Sequence, residues 1–395
     1  MSQPILTDPT QILVFLVLVI GLVYWISSRA KLASFFRFLT PVLWIYFLPT
    51  LATTFGILPA ESPVYSWIRN HLLPAALILL LLSANLPTIA RLGGKALLTM
   101  LAGTFGIVIG GPIVVLLFKH GLPEQSWKAF AALSGSWIGG SHNLVAISES
   151  VGTPESLLVP IIVVDTVVGY TWMGIVIALS AFQDRFDRWS GVDRTIIDEI
   201  NLRLKEMDDV KRRPIKFIDL TLMMTLAFGG GYLCLELGKW LPPLGEVVTS
   251  FAWTVILVTT FGLILSFTRL SHLEYAGASH LGNFALFLLL ASIGARADLK
   301  AILEVPLFFL AGVAWIAIHA TCLFIAGKLL KAPMFLIATS SQANIGGPVT
   351  APIVASVYQS SMAPVGLLMA VLGSILGIYA GLFCAQLCYW VDKLM

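Results

Sequence analysis

The chain has 395 residues, of which 58% are hydrophobic and 11% are charged, and its mean hydropathy is +0.91. Soluble domains carry about 25% charged residues, so this composition excludes a soluble enzyme, a disordered chain and a nucleic-acid-binding protein. The formal net charge of +3 is too small to indicate a polyanionic partner. The first residues, MSQPILTDPT, contain no Lys or Arg, so the first apolar run is expected to be a retained anchor.

Twelve apolar runs follow one another along the chain, and most are long enough for a helix that crosses a bilayer. Within each run the apolar residues follow one another without regular alternation with polar residues. This pattern favours helices over the strands of a transmembrane β-barrel. The sequence therefore predicts an all-α polytopic membrane protein with about 12 transmembrane helices in two pseudo-symmetric halves. The runs are 10–27, 38–58, 72–90, 95–118, 128–152, 156–182, 216–238, 248–268, 279–295, 304–327, 334–358 and 362–390.

One segment, between Gln183 and Pro214, differs sharply from the rest because it holds eight basic and eight acidic residues. A stretch with this charge density cannot cross a bilayer. Within it, TIIDEINLRLKEMDDV places apolar residues at helical spacing, which predicts an amphipathic helix in a cytoplasmic linker. The expected organisation is a first repeat over 1–182, a charged linker over 183–215 and a second repeat over 216–395, each repeat with six crossings.

Matching glycine pairs interrupt the fifth predicted crossing of each half. SGSWIGGSHNLVAI at 134–147 is similar to SSQANIGGPVTAPI at 340–353. Interruptions at corresponding positions of two halves are typical of a transporter site, where broken helices offer backbone groups to a ligand. The alternative, close helix packing through small residues, explains one such pair more easily than two. We therefore expect one discontinuous helix in each half, broken near 134–147 and 340–353, and we expect the two to cross at mid-membrane.

Polar side chains around the two breaks are the candidate ligands for a solute or an ion. Apart from one acid they are uncharged at neutral pH, so they fit a small polar or anionic solute. Na⁺ is the candidate metal, near Asp165, Asn143 and Asn344, and H⁺ is the other candidate coupling ion. The candidate binding residues are Ser136, Gly139, Gly140, Ser141, His142, Asn143, Asp165, Ser340, Ser341, Gln342, Asn344, Gly346, Gly347 and Thr350.

Several ionisable residues lie inside or at the ends of the predicted crossings. Asp165 lies near the middle of the crossing after the first break, so it is expected to take up H⁺ or to ligate Na⁺. The alternative is a structural carboxylate bonded to a Ser, Thr or backbone donor. His319 is expected to be a neutral histidine bonded to a neighbouring helix, with a proton relay as the alternative. Glu149 is expected at the membrane surface, with a role at the entrance as the alternative, and Arg296 is expected to be an orientation charge.

Four strings, GSWIGGSHNLVAISESVG, VPIIVVDTVVGYTW, LLLASIGARADL and SSQANIGGPVTAP, resemble the DUF819 (YjcL-like) family of membrane proteins, and the resemblance covers nearly the whole chain. Through this family the chain resembles the cation:proton antiporter/anion transporter superfamily. The resemblance implies inverted repeats, two crossed unwound helices, elevator-type alternating access, a homodimer and a location in the bacterial cytoplasmic (inner) membrane. The unwound regions then fall on Gly135 to Asn143 and on Gln342 to Thr350. The paired acids of the antiporters are absent, since Asp165 has no acidic neighbour.

The sequence therefore predicts a secondary active transporter, coupled to H⁺ or Na⁺, that moves a small polar or anionic solute. A cation–proton antiporter without an organic substrate is the alternative. The chain has no nucleotide-binding loop, metal cluster or nucleophile motif, so neither an enzyme nor a bound cofactor is expected.

The helix count disagrees with an inverted repeat and also with the loop charges. Arg29, Lys31 and Arg37 favour an outside N-terminus, but six crossings later the charged linker would also be outside. Six predicted crossings lie between equivalent helices of the two halves, whereas inversion needs an odd number. One crossing between Thr153 and Leu270 is therefore expected to be miscounted.

Overall fold

The computed structural model describes residues 4–32, 35–36, 41–82, 84, 89, 92–192, 213–297, 305–359 and 362–394. Within these ranges the chain forms fifteen helices and no strand. The central part of the charged linker, 193–212, lies outside the described residues, and so does the amphipathic helix predicted there.

The first helix, α1 (Pro9–Ser27), begins at a site that suits a helix start. The Asp8 carboxylate accepts hydrogen bonds from the backbone N–H groups of Thr10 at 2.9 Å and Gln11 at 3.1 Å, and Pro9 occupies the first helical position. The first-half helices are α1 (Pro9–Ser27), α2 (Pro41–Thr54), α3 (Pro63–Leu81), α4 (Gly94–Phe118), α5 (Ser126–Gly139), α6 (Ser141–Val151), α7 (Glu155–Ala178) and α8 (Gln183–Ser190).

The second half also contains a long helix followed by two short helices and a further long helix. Its helices are α9 (Phe217–Trp240), α10 (Ser250–Ser266), α11 (Ala278–Gly294), α12 (Val305–Leu330), α13 (Met334–Ile345), α14 (Gly347–Tyr358) and α15 (Ala363–Leu394). Two long helices contain a π-helical turn, at Ile68–Leu72 in α3 and at Thr225–Gly230 in α9.

Among the described residues, seven helices are long and apolar enough to cross a bilayer: α1, α3, α4, α7 with α8, α9, α12 and α15. An eighth arises if α10 is joined to the short helix Arg269–Ala276, although the two are bent by 95°. The apolar helices α2 and α11 are shorter. This count is below the twelve expected crossings, and the two interrupted segments account for part of the difference.

The segment 126–151 is a helical hairpin, here called the first hairpin. A Cβ added to Gly135 in α5 would lie 2.9 Å from the side chain of Ile147 in α6. At the open end, the Thr153 hydroxyl donates to the carbonyl oxygen of Lys128 at 3.2 Å. Residues 12 positions apart along one continuous helix would be separated by about 18 Å. The two arms therefore lie side by side and antiparallel.

The segment 334–358 forms the second hairpin in the same way. The Thr350 hydroxyl in α14 donates to the side-chain oxygen of Gln342 in α13 at 3.0 Å, and Ala338 and Val354 belong to one buried cluster.

The chain turns back at glycines in both hairpins. Gly140 has φ +96° and Gly347 has φ +64°, values that side chains with a Cβ rarely adopt. The glycine positions were predicted correctly, but the expectation that each interrupted helix continues across the membrane is wrong. Each chain segment reverses direction at its glycine instead.

The helices pack in two groups. The hairpin group consists of both hairpins with α4, α7, α8, α12 and α15. Within this group, α15 packs along the first hairpin and α4 packs on α12. The lateral group consists of α1, α2, α3, α9, α10 and α11, in which α11 packs on α2 and α3, and α10 packs on α3 and α9. The groups touch where α10 meets α6 and α15. Both hairpin tips are therefore held inside one group.

Candidate functional site

The two hairpin tips meet. A Cβ added to Gly347 would lie 3.8 Å from the Cα of Gly140. Gly373 of α15 lies against both tips, because a Cβ there would clash with the carbonyl oxygen of Ile138 and would lie 3.2 Å from that of Ala343. We call this place the junction. It brings together the two interrupted segments that the sequence singled out, although they are arranged as tips and not as crossing rods.

Four helix ends converge on the junction. α5 and α13 end there, and α6 and α14 begin there, at Ser141 and Gly347. Backbone N–H groups in the first turn of a helix have no partner within it, and they carry a positive partial charge. The last carbonyl groups of a helix carry the opposite partial charge. The junction therefore brings together the positive ends of two helices and the negative ends of two others.

Asn143 is a fully buried side chain beside the first tip. Its amide nitrogen donates to the carbonyl oxygen of Ser374 in α15 at 3.2 Å. Gly139 and Gly377 enclose it so tightly that a Cβ at either position would clash with that nitrogen. The other end of the amide, Oδ1, has no hydrogen-bond partner in the described part of the chain. Asn143 therefore has a fixed orientation and a free acceptor.

Gln342 is a second buried amide, on the arm that leads to the second tip. It is also fully buried, and its side-chain oxygen accepts the hydrogen bond from Thr350. Its amide nitrogen, Nε2, has no partner among the described residues. Gly346 is next to this pair, since a Cβ there would clash with the hydroxyl of Thr350. A buried polar atom without a partner costs free energy, so both amides are candidates for contact with a ligand.

Asp165 on α7 faces the first hairpin. The hydroxyl of Ser136, one turn before the first tip, donates to its carboxylate at 3.0 Å. One turn further along α7, a Cβ added to Gly169 would lie 3.6 Å from Ile345 of the second hairpin. α7 thus passes both hairpins. A half-buried carboxylate with one hydroxyl donor can take up a proton or supply one ligand to a cation.

Other candidates in the second hairpin are occupied by contacts with α4. The side-chain oxygen of Asn344 accepts from Thr104 at 2.8 Å, and its nitrogen donates to the carbonyl oxygens of Ser340 at 3.0 Å and Met100 at 3.3 Å. The hydroxyl of Ser340 donates to that of Thr99 at 2.9 Å. These bonds satisfy Asn344, and the geometry favours a structural role for it over a place beside a Na⁺ ion.

Ser341 is part of a hydrogen-bonded chain that links four helices. Trp172 of α7 donates to its hydroxyl at 2.8 Å, and that hydroxyl lies 3.0 Å from Nε2 of His319. Nδ1 of His319 lies 2.9 Å from the carbonyl oxygen of Gly103, so it carries the proton of a neutral ring. This arrangement fits the expectation of a neutral histidine bonded to a neighbouring helix. No pattern in the sequence indicated Trp172, because a tryptophan in an apolar run resembles ordinary packing.

Ser141 and His142 are half-buried at the first tip. A Cβ added to Gly140 would lie 3.7 Å from the imidazole ring of His142. That ring makes no hydrogen bond with the described part of the chain. Within the same part of the chain, no three His, Cys, Asp or Glu side chains group together as metal ligands.

The open end of the first hairpin carries an ion-pair cluster. The carboxylate of Glu149 lies 2.5 Å from Nε of Arg69 in α3 and 3.0 Å from a terminal nitrogen of Arg296. Arg296, which follows α11, also lies 2.9 Å from the carboxylate of Glu155. The cluster joins the hairpin group to the lateral group. Arg296 therefore has two acidic partners in addition to the expected role as an orientation charge.

Comparison with known proteins identifies the family. A family model described as "Protein of unknown function (DUF819)" matches residues 14–390. The chain belongs to the DUF819 family. It is also 27% identical over 341 residues to "Uncharacterized membrane protein YjcL" of Bacillus subtilis (strain 168), and the match covers 84% of this chain and 85% of that protein. The DUF819 resemblance predicted from the sequence is thus confirmed, and the chain is a membrane protein with several apolar helices. The relation to the antiporter superfamily stays a prediction.

Proposed function

We propose that this protein is a secondary active transporter, coupled to H⁺ or Na⁺, that moves a small polar or anionic solute by elevator-type alternating access. The observation that carries the proposal is the meeting of the two hairpin tips beside Asp165. Irregular backbone at membrane depth is tolerated only where it is buried in protein or lines a water-filled path. Two such places in contact, with unsatisfied amide atoms beside them, fit a solute site better than they fit packing.

We infer ten crossings, formed by α1, α2, α3, α4, α7, α9, α10, α11, α12 and α15. Each hairpin enters and leaves on one side of the bilayer, so it adds no crossing. Equivalent helices of the two halves, such as α4 and α12, then stand five crossings apart. An odd number gives inverted repeats. The segment wrongly counted as a crossing is the first hairpin. It lies before the interval from Thr153 to Leu270, in which the miscounted crossing was expected.

The loop charges agree with this count. With the N-terminus outside, the cytoplasmic side receives Arg29 and Lys31 after α1, the charged linker after α7, and Lys328 and Lys331 at the end of α12. The first hairpin then opens to the outside and the second to the cytoplasm. A site between their tips can be reached from each side in turn, which is what alternating access requires.

Thiol labelling tests this topology. In a chain without its four native cysteines, we introduce Glu124→Cys and Ser156→Cys on either side of the first hairpin, and Lys331→Cys and Gln359→Cys around the second. An impermeant maleimide added to whole cells should label the first pair, and the second pair should react only after permeabilisation. Opposite accessibility within either pair would mean that the segment crosses the membrane.

Asp165 is the proposed carrier of the coupling ion. Asp165→Asn keeps the size of the side chain but removes its titration and its charge. Proteoliposomes are supplied with a metabolite mixture under a pH gradient or a Na⁺ gradient, and their contents are measured by mass spectrometry. We expect gradient-driven accumulation by the native protein and only gradient-independent equilibration by the variant. Uptake by the native protein that ignores both gradients would contradict coupling.

A cation–proton antiporter is the second candidate, because one membrane-embedded carboxylate is enough to exchange a cation for a proton. The unsatisfied amides of Asn143 and Gln342 favour solute transport over it. A pH-sensitive dye inside the liposomes separates the two. A pH change on adding Na⁺, K⁺ or Li⁺ without any solute would favour the antiporter. We also propose, from the resemblance to the antiporter superfamily, that the protein is a homodimer in the bacterial cytoplasmic membrane.

A further inference from the structure

The negative helix ends at the junction are covered by α15. The carbonyl oxygens of Ile138 and Ala343 face Gly373 at close range. The carbonyl oxygen of Gly139 accepts a hydrogen bond from the hydroxyl of Ser374 at 3.2 Å. The acceptors at the ends of α5 and α13 are therefore directed toward a packed helix and are not free for a ligand.

The positive helix ends are partly exposed. In the first turn of α14, Val349 is 70% exposed, whereas Gly347 is buried and Pro348, although exposed, has no N–H group. Ser141 and His142 in the first turn of α6 are half-buried. The backbone N–H groups of Ser141 and His142 bond to no other backbone group in the described part of the chain. Each helix N-terminus contributes about half a positive charge, so two partly exposed N-termini balance the charge of roughly one anion.

Two buried amides add specificity to this surface. Nε2 of Gln342 is a free donor on the side of the second hairpin, and Oδ1 of Asn143 is a free acceptor on the side of the first. The donor adds to the groups that attract an anion. The acceptor requires an O–H or N–H group on the ligand, because a bare anion would leave it unsatisfied. Chloride or an unsubstituted fatty-acid carboxylate, which has no such group, therefore satisfies the donors of the junction but not this acceptor.

We propose that the junction selects a small organic carboxylate that also carries a hydroxyl or amino group. The first-turn N–H groups of α6 and α14 and Nε2 of Gln342 hold the carboxylate, and Oδ1 of Asn143 accepts a hydrogen bond from the second group. The inference rests on the proposed transport function, since it names the substrate class of the same site. No Lys or Arg takes part in the contacts that define the junction, so the charge of the solute is met by backbone dipoles and amides.

Binding to the full-length protein in lipid nanodiscs tests the proposal. The probes are 2-hydroxy and 2-amino acids of two to six carbons, the corresponding unsubstituted acids, and the corresponding primary amides of the hydroxy and amino acids. We expect saturable binding by at least one hydroxy or amino acid, with at least tenfold weaker binding of both its unsubstituted acid and its amide. Binding by none of the acids, or equal binding of acid and amide, would overturn the proposal.

Variants assign the two contacts. Gln342→Glu replaces the donor with a negative group and should weaken binding of the acid at least tenfold while sparing the amide. Asn143→Ala removes the acceptor and should bring the ratio between substituted and unsubstituted acids close to one. Gln11→Glu, which makes the same exchange as Gln342→Glu on the exposed start of α1, is the matched control and should change nothing. An unchanged acid-to-amide ratio in Gln342→Glu would remove Gln342 from the site.

Folding and function are kept apart in this design. If Gln342→Glu fails to fold, Gln342→Met replaces it, since it has a similar length without the donor, and its melting temperature is compared with that of the native protein. Gradient-driven uptake of a neutral sugar with no binding of any acid would overturn the carboxylate assignment and leave the transporter proposal intact. Binding of an acid without any transport would support the carboxylate assignment and overturn the transporter proposal.

Discussion

Replacing Glu149 with Gln removes the charge that ties the open end of the first hairpin to the lateral group. The side chain of Glu149 is 9% exposed, whereas those of Arg69 and Arg296 are 33% and 25% exposed. Removing one partner of a fully buried pair costs about 3–5 kcal/mol, and exposed pairs contribute about 0–1 kcal/mol. Because the carboxylate is buried and its partners reach the surface, we expect the free energy of unfolding to fall by about 2–3 kcal/mol.

The chain contains a matched control for this change. Glu236 and Lys239 form an ion pair of 2.6 Å on α9, but their side chains are 36% and 56% exposed. Glu236→Gln should therefore change the free energy of unfolding by less than about 0.5 kcal/mol. Both values come from equilibrium unfolding of the full-length protein in mixed detergent micelles. Equal losses in the two variants would refute the argument that burial of the carboxylate determines the effect.

Three further outcomes follow from the packing of the hairpins. Gly139→Ala places a methyl group against the amide of Asn143 and should lower the melting temperature, whereas Gly94→Ala, with no atom within 4 Å of its new methyl group, should not. Asn344→Ala breaks several buried hydrogen bonds and should lower the melting temperature more than Asn143→Ala, which breaks one. Asp165→Asn should flatten the dependence of transport on external pH, measured in proteoliposomes between pH 5 and 8.

The sequence located the turns but did not reveal their direction. Gly140 and Gly347 adopt positive φ values, and a preference for glycine at such positions is visible in the sequence. An interrupted run of about 25 apolar residues has the same length and hydropathy whether it crosses the bilayer or folds back within it. The difference depends on contacts between the arms, such as that between Gly135 and Ile147. Two indirect signals pointed to a hairpin. One was the even number of predicted crossings between equivalent helices, and the other was the set of loop charges, which disagreed with that number.

The polar residues of the interrupted segments were also visible in the sequence, but their hydrogen-bonding states were not. Asn143 follows the glycine pair of the first string, and Asn344 precedes the glycine pair of the second. Asn344 is satisfied by Thr104, which is 240 positions away in the chain, whereas one end of Asn143 has no described partner. A free buried atom can be recognised only when its surroundings are known. Local sequence pattern therefore proposes candidate ligands, and tertiary packing decides which of them remain available.

The two hairpins are anchored differently, and this difference bears on how the junction is opened. The open end of the first hairpin is bound to the lateral group, through Glu149 and through the hydroxyl of Thr249, which donates to the carbonyl oxygen of Ser150 at 2.9 Å. The open end of the second hairpin is bound within its own group, where the N–H of Met334 donates to Asp187 at 2.8 Å. A movement of the hairpin group against the lateral group would break the first set of contacts and preserve the second. The Glu149 cluster thus stabilises the fold and resists that movement, so in a transporter of the proposed type Glu149→Gln would lower stability and the barrier to exchange together.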